Sequence, residues 1–225
     1  MEYEKVLKKL KKNANPENVA GMARFGINPK NTLGICAPEL IALSRKIGID
    51  HRLALKLWNS GIHEARILAA MVADHEKTSE SMMEAWVSDF DSWDVCDQVC
   101  FRLFDKTPFA YKKAFEWSKR EGEFVKRSGF ALMASLAIHD KKAPDAKFEK
   151  FYPTIKRESG DGRNFVRKAV NWALRNIGKR SKSLNKSAIR TAREIEKLDS
   201  KSARWIAKDA LRELQGEAVQ KRLRR

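Results

Sequence analysis

Apolar residues recur at a spacing near 3.6 along almost the whole chain, and the strict alternation that marks strands is almost absent. The periodic segments near 2–13, 38–47, 51–59, 62–74, 79–90, 92–104, 107–119, 123–138, 144–158, 163–177, 184–197 and 201–214 predict about a dozen helices in roughly six pairs. Start signals precede many of them: Ala37-Pro38-Glu39, Asp50 before His51, Thr78-Ser79-Glu80, Thr107-Pro108 and Ala143-Pro144-Asp145. Gly48, Gly122, Gly160 and Gly178 fall just past apolar stretches and read as stops. The least regular stretch, 14–37, mixes Gly and Pro with MARFGI and TLGI. It predicts a helix followed by a surface loop, with Phe25 and Ile27 either packed inward or offered to a ligand.

Three helical stripes repeat one another: FVKRSGFALM (124–133), FVRKAVNWAL (165–174) and SARWIAKDAL (202–211), spaced 41 and then 37 residues apart. HEARILAAMV (63–72) is a fainter copy. Repeats of about 40 residues built from helix pairs predict a HEAT-like superhelix, all-α, whose units bury their faces only by stacking. The expectation is one repeat domain over 1–225 with a basic concave side.

Charge sharpens that picture. The net charge is +17, and residues 156–225 hold 21 Lys/Arg against 8 Asp/Glu, whereas 1–155 hold 25 against 21. A basic C-terminal half from about 156 suits a polyphosphate ligand, because neutralising phosphates releases counterions. The run KRLRR at 221–225 reads as a basic tail. No stretch approaches the roughly 18 apolar residues of a membrane span. Three cysteines, Cys36, Cys96 and Cys100, cannot all pair, which points to reduced thiols and a cytoplasmic protein. Cys96 and Cys100 lack a second pair at zinc spacing, and the four histidines are scattered, so no metal or cofactor is expected. No P-loop, dinucleotide fingerprint or GxSxG motif is present.

The repeats share a charged slot. Arg66 fills it in HEARILAA, Arg127 in FVKRSGFA and Lys168 in the next unit, but the intervening helix SWDVCDQVCFRLF offers Asp97. An acid would weaken binding to a polyanion, so two explanations compete: an Asp97–Arg127 ion pair between stacked helices, or a carboxylate facing a centre where positive charge develops. Lys126 stands beside Arg127, and either cation could face Asp97. Trp93 lies four residues before Asp97, on the same helix face. Trp172 occupies a slot that holds Ala131 one repeat earlier and Asp209 one repeat later, a variation that a core position rarely shows. The remaining tryptophans, Trp58, Trp86, Trp117 and Trp205, are expected in the core. Asp89, Asp91 and Asp94 read as charges at a helix N-terminus near Ser92.

In LWNSGIHEARILAAMV (57–72), SWDVCDQV (92–99), FVKRSGFALMA (124–134) and FVRKAVNWALRNIGKRS (165–181) the chain resembles the DNA alkylation repair family, the AlkD-type alkylpurine DNA glycosylases. The resemblance covers nearly the whole chain. It implies hydrolysis of the N-glycosidic bond of N3- or N7-alkylated purines in duplex DNA, without metal and without swinging the base into a deep pocket; a solenoid that cradles DNA is expected to work as a monomer. It matches Trp93 and Asp97 to the family's W-x-x-x-D, Arg127 to its arginine and Trp172 to its second tryptophan. Asp97 would stabilise the sugar cation, Arg127 would position the acid, and the two tryptophans would brace the lesion's sugar and backbone. Arg66, Lys126, Arg163, Arg167, Lys168, Arg175, Lys179 and Arg180 would hold DNA.

Overall fold

Short polar side chains set many of the helix starts. Asn15, Asp50, Ser79, Ser181 and Ser200 each accept a free N–H of the first turn that follows them. In the computed structural model, which describes residues 1–224, the helices are α1 (Tyr3–Lys12), α2 (Pro16–Arg24), α3 (Ala37–Ile47), α4 (His51–Asn59), α5 (His63–Val72), α6 (Glu80–Ser88), α7 (Trp93–Arg102), α8 (Ala110–Trp117), α9 (Glu123–His139), α10 (Asp145–Glu149), α11 (Tyr152–Glu158), α12 (Asn164–Gly178), α13 (Lys182–Glu196), α14 (Lys201–Leu214) and α15 (Glu217–Arg224). No strand occurs among the described residues, and the chain is all-α as its periodicity predicts.

Three local differences from expectation have physical reasons. The segment 144–158 is two helices, because the chain turns at Lys150–Phe151 and Pro153 restarts it near the N-terminus of α11. The basic run at 221–225 is helical through Arg224 and Val219 of the same helix is buried; Arg225 lies outside the described residues. Gly178 does not follow α12 but ends it, and a side chain there would meet Ala188 Cβ and Leu214 Cδ2 at 2.7 Å, so α13 and α14 press against bare backbone.

The packing separates into two compact units, Met1–Pro108 and the residues from Phe109 onward. In the first, α5 packs against α3, α4 and α7, and α1 against α4 and α5. Its core holds Leu57, Leu68, Val72, Val95 and Cys96, all essentially inaccessible. Trp58 and Trp86 lie flat on one another there, ring centres 3.9 Å apart and planes 3° from parallel. Burying a side chain of this size contributes about 1.5–3 kcal/mol relative to leaving it in water.

In the second unit α9 packs on α8 and α12, α12 on α13 and α14, and α14 on α13 and α15. Every residue of α9 from Arg127 to Ala137 is buried. A helix covered on all sides needs a close neighbour, and Gly129 supplies the room: a Cβ there would lie 2.4 Å from Ser118 N. The three repeated stripes of the sequence are thus α9, α12 and α14, packed in that order.

Candidate nucleic-acid interface

In the first unit Trp93 opens α7 and Asp97 follows one turn later, both half-buried. The loop before α3 is tied to this helix. Trp93 Nε1 donates to Phe25 O at 3.0 Å, Asn28 N to Ser92 Oγ at 2.9 Å, and Asn28 Nδ2 to Asp91 Oδ2 at 2.7 Å. The far end of the loop is held by Glu64, whose fully buried carboxylate accepts from the N–H groups of Leu33, Gly34 and Ile35 at 2.8, 2.7 and 3.2 Å. Ile27 packs inward while Phe25 stands 74% exposed, so the packing open to both residues holds for Ile27 alone. A cavity of about 270 Å³ opens between loop and helices, lined by Trp93, Asp94, Gln98, His63, Glu64 and Cys36 among others.

His63, also buried, faces Asp94 with Nε2 2.8 Å from Oδ2. Burial alone would lower its pKa; the bond to Asp94 and the negative charge of Asp94, Glu64 and Asp91 outweigh that, and the net shift is upward. Of the three acids expected at the start of α7, only Asp94 lies in its first turn. Asp89 instead accepts from Trp58 Nε1 at 2.9 Å, and Asp91 holds Asn28. Arg66 is half-buried, its guanidinium 5.1 Å from the Trp58 ring centre, donating to Asp89 O at 3.0 Å.

In the second unit Arg127 is 5% exposed and donates from Nη1 to Phe165 O at 2.6 Å, joining α9 to the start of α12. Lys126 meets Glu158 at 2.7 Å and Asp161 at 3.5 Å. Arg163 reaches Asp161 at 2.6 Å and also Glu121 O, and holds the Asp161 carboxyl below the usual range. Arg167 lies over the Trp205 ring, 4.5 Å from its centre. Along α12, Lys168 is exposed and Trp172 half-buried on one face, followed by Arg175 and Lys179. Those last two cations meet acids of α14: Arg175 pairs with Glu213 and approaches Asp209 at 3.5 Å, and Lys179 pairs with Glu213 at 2.6 Å. Burial would raise the Glu213 pKa, but these two cations draw it down overall. Arg180 turns away, donating to Ala143 O at 2.7 Å and Ala137 O at 3.3 Å above the Phe148 ring.

The structure thus places Trp93 with Asp97 on one helix, and Lys168, Trp172, Arg175 and Lys179 along another. Arg180 points its charge at the end of α9. Sequence reasoning missed Glu64, His63 and the Asp209–Glu213 row. For the row a signal existed: Asn171–Asp209, Arg175–Glu213 and Arg127–Phe165 are each separated by 38 residues, close to the repeat length itself. Trp205, expected in the core, is 38% exposed, because its slot on α14 faces solvent; Trp58, Trp86 and Trp117 are buried as expected.

A solved structure described as a new family of proteins related to the HEAT-like repeat DNA glycosylases, with affinity for branched DNA structures, matches this chain at a TM-score of 0.80. The match covers 99% of this chain and 96% of that one at 19% identity, and it shows the fold: an all-helical HEAT-like repeat protein. A designed armadillo repeat protein in complex with a (KR)4 peptide aligns over 82% of this chain and 88% of its own, at 14% identity and a TM-score of only 0.35. No curated protein matches the chain. The family model for DNA alkylation repair enzymes matches residues 6–214, so the chain belongs to the DNA alkylation repair enzyme family.

Proposed function

We propose that the protein is a monofunctional DNA glycosylase that hydrolyses the N-glycosidic bond of N3- or N7-alkylated purines in duplex DNA, acting as a monomer. The observation that carries this reading is the pairing of Trp93 and Asp97, half-buried one turn apart on α7, in a chain whose family is DNA alkylation repair.

The chemistry fits those side chains. Alkylation at N7 or N3 makes the purine cationic and a good leaving group, so no strong general acid is required. Positive charge then passes to the deoxyribose, where a carboxylate stabilises it and orients the attacking water. Asp97 has that role, and Trp93 packs its ring on the sugar. Trp172 braces the DNA backbone, and Arg127 keeps the positioning role that the resemblance gives it. Arg66 and Lys168 take phosphates, and Lys126, Arg163, Arg167, Arg175, Lys179 and Arg180 supply the surrounding positive field. Incubation of the protein with methylated duplex DNA, followed by chromatography of the freed bases, tests the reading: release of 7-methylguanine supports it, and its absence at saturating protein overturns it.

A second reading is DNA binding without base release. The solved relative with affinity for branched DNA supports this reading. Steeply salt-dependent binding with no freed base would establish it.

A further inference from the structure

The solvent face of α14 stands outside the site described above. Lys201, Arg204, Trp205, Lys208 and Arg212 are all exposed on it. Lys201, Trp205, Lys208 and Arg212 recur at i, i+4, i+7 and i+11, which places them in one stripe along the helix. The acids of the helix leave this stripe: Asp209 and Glu213 are only partly exposed and meet Asn171, Arg175 and Lys179 of α12. Arg212, itself well exposed, also reaches Asp209, and Arg204 meets the fully exposed Asp199 at 3.3 Å, a pair open enough to water that a phosphate oxygen can replace the acid.

An indole at the centre of a cationic row asks for a partner with both charge and a flat face. Trp205 is 38% exposed, yet it is not loose, because the Arg167 guanidinium is 4.5 Å from its ring centre. Arg167 is itself steadied by Asn164, whose Oδ1 accepts from Nη2 at 3.3 Å. The repeat register adds an independent argument. Aligning SARWIAKDAL with FVRKAVNWAL and FVKRSGFALM puts Trp205 in the slot of Lys168 and Arg127, on the third of three helices packed in series. The row of corresponding slots therefore ends in an aromatic residue flanked by cations.

We infer that this face binds single-stranded DNA adjoining the duplex, with an unpaired base stacked on Trp205 and the strand's phosphates along Lys201, Lys208 and Arg212. In an intact duplex the base faces are covered by their neighbours, and only sugar and phosphate reach a flat ring. An unpaired base has an open π face, and aromatic stacking beside a basic track is the general means of holding it. The inference rests on the reading of the protein as DNA-binding and adds a substrate feature to it: a strand that leaves the helix.

The test uses the full chain and three labelled probes of equal sequence: a blunt duplex, the duplex with a single-stranded overhang, and the free single strand. Anisotropy titrations should give about tenfold tighter binding with the overhang than without it, the equivalent of about 1.4 kcal/mol of stacking. Trp205→Ala should remove that gain and leave blunt-duplex affinity unchanged, while Trp205→Phe should keep most of it. The quenching of tryptophan emission that the overhang adds beyond that of the blunt duplex, present in wild type and lost in Trp205→Phe, is a second readout that does not depend on the alanine variant's folding. An overhang that adds nothing, or an alanine variant that keeps the gain, overturns the inference while duplex binding stands. Failure to bind any of the three probes overturns the DNA reading as well, and displacement of the overhang strand by an acidic peptide at equal affinity overturns the assignment to nucleic acid.

Discussion

His63 Nε2 lies 2.8 Å from Asp94 Oδ2, so the first residue of α5 is bonded to the first turn of the helix that carries Asp97. The His63 pKa is raised in the folded protein, net of burial, which opposes the shift. A raised folded pKa stabilises fully below the unfolded value of about 6.5 and ceases to do so as pH rises through the folded value. Asp94→Asn should therefore lower Tm more near pH 5.5 than near pH 9. Melting curves that show the same gap at both pH values would remove the charged pair from the account.

Glu64 is the second anchor. Truncation by Glu64→Ala leaves the buried N–H groups of Gly34 and Ile35, and the half-buried one of Leu33, without their acceptor. The expected loss is about 3 kcal/mol or more in urea unfolding, since each unsatisfied buried donor costs about 1–3 kcal/mol. Amide exchange at 33–35 should accelerate first. A loss under about 0.5 kcal/mol, the scale of a surface change, would show that the loop is held by other means.

On the proposed function, Asp97→Asn should abolish release of 7-methylguanine and leave DNA affinity equal or slightly higher, because a negative charge is removed from the surface proposed to meet phosphates. Loss of binding together with loss of release would assign Asp97 to folding, and unaltered release would remove it from the mechanism.

Glu213 restrains two cations of α12. Glu213→Gln should free Arg175 and Lys179 for phosphate, raising duplex affinity about three- to tenfold and steepening its dependence on salt by about one to two charges. An unchanged salt slope would mean that neither cation meets DNA.

Gly129 lets α9 touch the end of α8. Gly129→Ala would set a Cβ 2.4 Å from Ser118 N and 2.9 Å from Ala114 O, both backbone atoms that cannot rotate away. The expected cost is about 1–3 kcal/mol or more, measured by thermal or denaturant unfolding.

The helices and their repeat were legible because most of them, α9 excepted, bury one stripe, and a stripe leaves a 3.6-residue rhythm in the sequence. Asp97 and Trp172 stood out in the sequence because their residue types differ from those in the same slot of neighbouring repeats. What stayed hidden was set by contacts distant along the chain. Nothing local marks Glu64 as the acceptor for a loop 29 to 31 residues earlier, or Asp89 as the partner of Trp58 rather than a helix-start charge. Trp205 misled for a related reason: its apolar character suggests burial, but exposure depends on what packs over its slot, and Arg167 of α12 covers the ring only in part. The acids facing Arg175 and Lys179 were hidden in plain composition, since net charge counts cations without saying which are already neutralised.

The flat pair of Trp58 and Trp86, with Asp89 bonded to one indole nitrogen and Arg66 poised above the same ring, has a use beyond packing. Two chromophores pressed face to face share their excited state and emit unlike isolated ones. The N-terminal unit thus carries its own optical gauge, and an event that shifts Arg66 would register in it as a change of colour and brightness without any attached dye.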